Sequence, residues 1–364
     1  MAKTGVARRV SLEQRGIRRV GTKESGFGFV TPQGKPISQK DTLSRIRALR
    51  IPPAWQNVRI DRGAAAPLQA VGVDKKGRTQ YLYHSRFRQS REEEKFQRVV
   101  EFGESLPRLR RKIRKDLTGS ELGKDRVLAA IVRLIDQGFF RVGNDKSARS
   151  EDTYGLTTVR SDHVTVHGAE ITFDYIGKWK KSQKRRVKDA EIAGIIRRLT
   201  RLEGEELFKY IQNDRVRDIK DRQVNEYIQS IIGDKFTAKD FRTWAGTLLC
   251  SMALGQQGTG SSKKERKSKI KNAIDFASRQ LGNTPAVCRA SYICPRLIDE
   301  YMEGKEFKPA RKQLRGKPVA KTGLSLEERA LLRFLRQTIA DRRKRQERRG
   351  KERDGDRRIS GLTD

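Results

Sequence analysis

The chain has 364 residues, with 82 Lys and Arg against 45 Asp and Glu, for a formal net charge of +37. A surplus of that size repels itself in the compact state, so it marks a protein that meets a polyanion, the nucleic-acid backbone first among them. No apolar run approaches the ~20 residues of a membrane span, and Met1-Ala2-Lys3-Thr4-Gly5 lacks the apolar region of a secretory leader.

Residues 1–28 are basic and Gly-rich with little periodicity, which predicts a mobile arm. Residues 29–90 carry short apolar segments broken by Pro and Gly. Val58-Arg59-Ile60 and Gln80-Tyr81-Leu82-Tyr83 alternate as strands do, and Leu43 to Leu49 reads as a short helix. A small β-rich domain is expected there, with a boundary in the charged helical stretch from Arg86 to Arg98.

Residues 91–307 read as a larger, mainly helical domain. Val127, Leu128, Ile131, Leu134 and Ile135 form one apolar face, running into Gly138-Phe139-Phe140-Arg141. Three β-signals follow, at Gly155–Arg160, His163–Val166 and Ile171–Ile176, and predict a three-stranded antiparallel sheet with the Gly177-Lys178 pair at a turn. Helices resume at Asp189 and continue past residue 300. Thr237 and Asp240 approximate a capping box, placing Arg242 early in a helix whose Phe241, Ala245, Leu248, Leu249 and Met252 share a buried stripe. Gly255 to Lys269 reads as a disordered loop. Ile270, Ala273, Ile274, Ala277 and Leu281 describe a helix ended by Gly282, and Thr284-Pro285 then reads as N-cap and N1 of the next. Residues 308–364 form a basic tail in which Ser325 to Glu328 caps one more helix. The fold class is α+β.

Three cysteines, Cys250, Cys288 and Cys294, show no paired spacing, which points to the reducing cytoplasm rather than to a disulfide framework or a zinc site. No metal site is expected.

Chemistry on a phosphodiester needs fixed cations for the non-bridging oxygens and a proton donor for the departing alkoxide. Tyr292 is a candidate nucleophile, and Arg141, Lys178, Arg242 and Asn283 make a plausible set of helpers. Arginine matches phosphate oxygens in a planar fork. A lysine at a turn tip, desolvated beside other cations, serves as a general acid. Pro295 disfavours helix at the residue before it, which puts Tyr292 at or just before a helix N-terminus. Each of these residues also has a bland reading, as core aromatic, turn former or solvated cation.

As an ordered set, the motifs resemble the type IB DNA topoisomerases of the compact poxvirus and bacterial branch, from about Leu43 to Tyr301. The resemblance is carried by Pro52-Pro53-Ala54-Trp55-Gln56-Asn57-Val58, Gly77 to Tyr83, Phe140-Arg141-Val142-Gly143 with Tyr154 to Thr158, Gly177-Lys178, Lys239 to Trp244, and Gly282 to Tyr292. It implies an N-terminal clamp domain and a helical catalytic domain that act on double-stranded DNA as a monomer near the nucleoid. It also implies a cycle without ATP, cofactor or obligatory metal. Tyr292 would form a 3′-phosphotyrosyl bond, Arg141 and Lys178 would assist proton donation to the leaving oxygen, and Arg242 and Asn283 would hold the phosphoryl oxygens. Gln80, Tyr81 and Tyr83 resemble DNA-contacting positions, although ordinary alternate burial explains Tyr83 as well. The family usually has histidine where this chain has Asn283. A tyrosine recombinase and a non-catalytic DNA-binding protein remain as alternatives. A nuclease is disfavoured, for no acidic cluster accompanies the basic set.

Overall fold

The computed structural model describes residues 2–308, 320 and 322–341. The chain divides into two compact units between Lys95 and Phe96.

The first unit opens with helix α1 (Ala2–Arg15), followed by β1 (Ile17–Thr22), β2 (Gly26–Val30), α2 (Lys40–Ala48), β3 (Gln56–Ile60), β4 (Leu68–Val73) and β5 (Thr79–Tyr83). The strands form one antiparallel sheet in the order β2-β1-β3-β4-β5. The expected mobile arm is therefore a helix and the first two strands. Leu12 of α1 is buried with Leu68 and Val71, and Ile17 joins Ile46, Val58, Ile60 and Ala70 in the core. The basic residues that hid β1 work inside the fold. Arg19 donates to the carbonyls of Pro52 at 3.1 Å and Pro53 at 3.3 Å, and its guanidinium lies 4.2 Å from the centre of the Phe27 ring. Carbonyls of a Pro-rich turn thus gain a donor that a composition count assigns to solvent.

Helix α3 (Ser85–Leu117) carries the chain from the first unit into the second. There follow α4 (Lys124–Gly138), α5 (Asp145–Glu151), β6 (Val164–His167), β7 (Glu170–Gly177), β8 (Lys181–Lys188), α6 (Ala190–Leu199), β9 (Lys209–Gln212), β10 (Arg215–Asp218), α7 (Asp221–Ile232), α8 (Ala238–Gln257), α9 (Lys263–Leu281), α10 (Pro285–Tyr292) and α11 (Pro295–Met302). A last helix, α12, covers 326–341.

The three-stranded sheet has the order β6-β7-β8, so its membership differs from expectation. Gly155–Arg160 is a turn segment, and the third strand is the basic Lys181–Lys188, whose inward Gln183 and Val187 are buried. The β9–β10 hairpin interrupts what the sequence suggested was all helix. The expected loop at 255–269 is mostly helix. α8 runs to Gln257, and Ser262 caps α9 by accepting from Glu265 N at 3.1 Å.

Helix α8 is the axis of this unit. Every residue from Asp240 to Leu254 is buried, not only the stripe the sequence suggested. Its Thr247 and Ser251 hydroxyls spend their protons on the carbonyls of Thr243 and Leu248. The Ser325–Glu328 capping box forms, with Ser325 N to Glu328 Oε2 at 2.8 Å and Glu328 N to Ser325 Oγ at 3.1 Å. Glu328 is fully buried and also accepts from Arg110 at 2.7 and 2.8 Å and from Trp244 Nε1 at 3.2 Å. Arg110 in turn pairs with Asp136 of α4. One buried carboxylate thus ties α12 to α3 and α8. The rest of the basic tail, 309–319, 321 and 342–364, lies outside the described residues. Among the described residues no helix is long and apolar enough to cross a membrane.

Candidate active site

Four of the five sequence-predicted groups meet where α4 and α9 end beside α8. Helix α4 stops at Gly138, with Phe139 in the left-handed region at φ 58°. The next residues run extended against the 155–158 turn, with Leu156 N to Arg141 O at 2.9 Å and Thr157 N to Val142 O at 2.6 Å. A Cβ on Gly155 would lie 2.4 Å from Gly143 Cα, so only glycine lets these two segments close. That is the structural sense of the Tyr154 to Thr158 motif: it braces the segment bearing Arg141.

At the other helix end, Gly282 is left-handed at φ 64°, and Asn283 N reaches Ser278 O at 2.9 Å, the pattern expected of a Gly-terminated helix. Thr284 caps α10 by accepting from Val287 N, with Pro285 at N1. Asn283 is thereby fixed between two helices, and its Oδ1 accepts from Arg141 Nη2. A guanidinium only donates, so the amide nitrogen must point the other way. That Asn283 Nδ2 is buried and has no acceptor, and the same is true of Arg242 Nε.

Arg242 is 3% exposed. It donates to Phe139 O and, at 2.9 Å, to Leu281 O, bridging the ends of α4 and α9. Its guanidinium carbon lies 4.9 Å from the centre of the Tyr292 ring. Burial and then the neighbouring Arg141 pull its pKa down to about 10, which leaves it a cation at neutral pH.

Tyr292 departs from expectation in one respect: it is the last residue of α10, two residues before the Cys294 N-cap of α11. Thr284 and Pro285 start the short helix where expected, and the chain breaks at Ile293 before Pro295 starts the next. A helix C-terminus disfavours an anion, and burial also raises the phenol. Arg242, Arg141 and Lys239 outweigh burial, and the Tyr292 pKa lies below its ordinary value. The cations, not a helix dipole, prepare this oxygen.

Lys178 stands exposed at the tip of the β7–β8 hairpin, in the three-residue turn Lys178–Lys180. Ile176 O, two residues earlier, accepts from Tyr154 N at 2.8 Å, which attaches the hairpin to the segment bracing Arg141. The contacts described above join Arg141 to Asn283 and Arg242 to Tyr292, while Lys178, exposed rather than desolvated as expected, stands on the hairpin attached to the segment that braces Arg141.

Two supporting residues escaped the sequence reading. A Cβ on Gly246 of α8 would lie 2.5 Å from Tyr292 O and 3.0 Å from Tyr292 Cβ, so the missing side chain makes room for the tyrosine backbone. Thr247 Oγ1 accepts from Cys294 N at 3.0 Å and lies 3.5 Å from Tyr292 O. Small residues in a buried helix carry no chemical signal, which is why neither stood out.

In the first unit, Tyr81 and Tyr83 are 39% and 37% exposed on the edge strand β5, their rings 6.2 Å apart and inclined by 20°. Gln80 faces the other way, half-buried, and donates to Asp74 Oδ2 at 2.8 Å. Arg78 shares that carboxylate at 2.7 Å. Among the described residues, no group of three or more His, Cys, Asp or Glu side chains is placed to hold a metal.

The family model for the catalytic core of eukaryotic DNA topoisomerase I matches residues 84–315, and that for the N-terminal domain of bacterial DNA topoisomerase IB matches residues 26–74. The chain belongs to the type IB DNA topoisomerase family. It is 33% identical over 300 residues to DNA topoisomerase 1B of Acanthamoeba polyphaga mimivirus, covering 80% of this chain and 89% of the relative. It is 25% identical over 240 residues to DNA topoisomerase I of monkeypox virus, covering 65% of this chain and 73% of the relative. Among solved structures, a XerH site-specific recombinase bound to its palindromic difH substrate shares 16% identity over 52% of this chain and 47% of its own. Its TM-score of 0.33 is too low to bear on the fold.

Proposed function

We propose that this topoisomerase-family chain relaxes supercoiled double-stranded DNA by transient cleavage of one strand, with Tyr292 as nucleophile. The Tyr292 phenol gives up its proton to water as its oxygen attacks the phosphorus, a tyrosyl–phosphate bond forms at the 3′ side, and the bond from phosphorus to the 5′ oxygen breaks. The leaving 5′ oxygen takes a proton from Lys178, assisted by Arg141. Rotation about the intact strand releases torsion, and the 5′-hydroxyl then attacks the phosphotyrosyl ester to restore the backbone. Bond energy is conserved in the ester, so supercoil strain drives the cycle without ATP.

One observation carries this reading. A phenol with lowered pKa lies against Arg242, beside two buried donors, Arg242 Nε and Asn283 Nδ2, that lack an acceptor. The partners found for these guanidiniums are carbonyls, an amide oxygen and the phenol, not carboxylates. Unspent donors in a carboxylate-free cationic cluster suit the non-bridging oxygens of a phosphodiester. Asn283, in the family's histidine position, contributes a neutral hydrogen bond there, worth roughly 1 kcal/mol against roughly 2 for a charge-assisted one.

Gln80, Tyr81 and Tyr83 of β5 are proposed DNA contacts. The two exposed rings supply stacking or hydroxyl contact, and Gln80 retains its amide oxygen while its nitrogen is held by Asp74. One chain contains all five catalytic groups, so a monomer at the nucleoid suffices. The test is relaxation of supercoiled plasmid without ATP by wild type and Tyr292→Phe. Stepwise relaxation and a covalent adduct, both lost in Tyr292→Phe while DNA binding persists, support the reading. Recombinant products would favour the recombinase alternative, and binding without any adduct would favour a non-catalytic protein.

A further inference from the structure

Arg185, on the strand that leads away from the Lys178 hairpin, repeats what Arg242 does, one residue earlier on each helix. Its Nη1 donates to Gly138 O at 3.1 Å and to Gln280 O at 3.0 Å. Arg242 bridges Phe139 O and Leu281 O. Each arginine therefore joins one carbonyl at the end of α4 to one at the end of α9. These carbonyls have no partner inside their own helices and carry the negative end of the helix dipoles, so a cation between them is favoured twice over. Arg141 lies two residues beyond Phe139 and Asn283 two residues beyond Leu281. The paired bridges thus sit directly behind the two side chains that touch in the site.

The packing allows little slack. A Cβ on Gly282 would lie 2.9 Å from Arg185 Nη2 and 2.7 Å from Gln183 Oε1, and the left-handed backbone there disfavours other residues independently. The Arg185 guanidinium also lies 5.9 Å from the centre of the Phe140 ring. Burial, opposed by Tyr175 and reinforced by the Arg141 charge, lowers its pKa, in keeping with a guanidinium held close to another cation by two backbone carbonyls and the Gln183 amide oxygen.

We propose that Arg185 is a positioning residue for strand cleavage. It bolts the end of α4 to the end of α9 and so holds Arg141 and Asn283 in register with Tyr292. The proposal rests on Tyr292 being the nucleophile. A misplacement of about 1 Å at a reacting constellation costs on the order of 100-fold, and a lysine at 185 keeps the charge but lacks the rigid planar fork that fixes the direction of both bonds.

The experiment uses the full chain as wild type, Arg185→Met, Arg185→Lys, Asn283→Ala and Arg185→Met/Asn283→Ala. Single-turnover adduct formation on a duplex oligonucleotide gives the rate, and equilibrium binding at several salt concentrations, in a Tyr292→Phe background, gives affinity and salt slope. Hydrogen exchange at 139–143 and 280–284 reports the bolt itself. The proposal expects cleavage slowed roughly 30-fold in Arg185→Met and less in Arg185→Lys. It also expects faster exchange confined to those two segments, unchanged binding, and a double variant less impaired than the product of its singles. Wild-type rates in both Arg185 variants overturn it. A salt slope reduced by about one unit also overturns it, since that marks a phosphate contact. Exchange raised throughout the unit in Arg185→Lys as well as Arg185→Met assigns the residue to global folding instead. If wild type forms no adduct at Tyr292, the nucleophile assignment fails first, and the role of Arg185 fails with it.

Discussion

Tyr292 and the pair Tyr81 and Tyr83 are the same residue type in opposite settings. Tyr292 is held between a glycine of α8, which leaves room for its backbone, and an almost fully buried arginine beneath its ring. Tyr81 and Tyr83 stand on an edge strand, more than a third exposed and touching each other. A reacting group has to be placed by groups that cannot move, because small displacements cost rate. A contacting group needs a free face and tolerates adjustment. The contrast separates chemistry from grip, and variants on the two sides should fail in different assays.

The largest effect is expected inside the cluster. Arg242→Met removes the bridge between α4 and α9 together with the cation beneath Tyr292, and should slow adduct formation by ~10³-fold. Asn283→Ala loses a neutral donor and should cost about 10-fold. Single-turnover cleavage measures both, and equal losses would refute the distinction drawn between them. Gly246→Ala falls between these two. Its methyl would meet the Tyr292 carbonyl at 2.5 Å, which forces α10 to shift. Cleavage should fall about 100-fold with stability reduced by about 1–3 kcal/mol, measured by single-turnover kinetics and denaturant unfolding.

On the exposed side, Tyr81→Ala with Tyr83→Ala should weaken DNA binding by about 10-fold or more while leaving the saturated cleavage rate unchanged. A fall in that rate with affinity intact would erase the contrast. The smallest effect lies at the far end of the helix that delivers Asn283. Lys269 and then Ser261 hold Glu265 down to about 2, below the ordinary carboxylate value of ~4.3. Its contribution is therefore fully present above the ordinary value and is lost as pH falls toward the folded one. Glu265→Gln should flatten thermal stability between about pH 4 and 2 and leave cleavage at neutral pH unaltered.

Local backbone chemistry made much of this molecule legible. Gly282, Thr284-Pro285 and Ser325 to Glu328 announce helix ends because capping depends on a few adjacent residues, and each cap forms as expected. The family motifs located Arg141, Arg242, Asn283 and Tyr292, which then converge. The elements that were missed share one cause. In β1 and β8 the inward positions include arginines, Arg19 and Arg185, whose guanidiniums serve carbonyls rather than solvent or phosphate. In a chain this basic, charge reads as surface, so the strand alternation disappears. The position of Tyr292 at a helix C-terminus was hidden for a different reason. The Pro295 rule constrains only the residue before it, while the break at Ile293 is set by the contacts of Thr247 and Gly246 from a distant helix.

The central claim is that the Tyr292 oxygen exchanges places with a DNA 5′ oxygen. Mass spectrometry of the peptide left attached to a trapped oligonucleotide tests it most directly. The account predicts a single phosphotyrosyl linkage, at Tyr292 and on the 3′ phosphate. A linkage at another residue, or one through a 5′ phosphate, would contradict it.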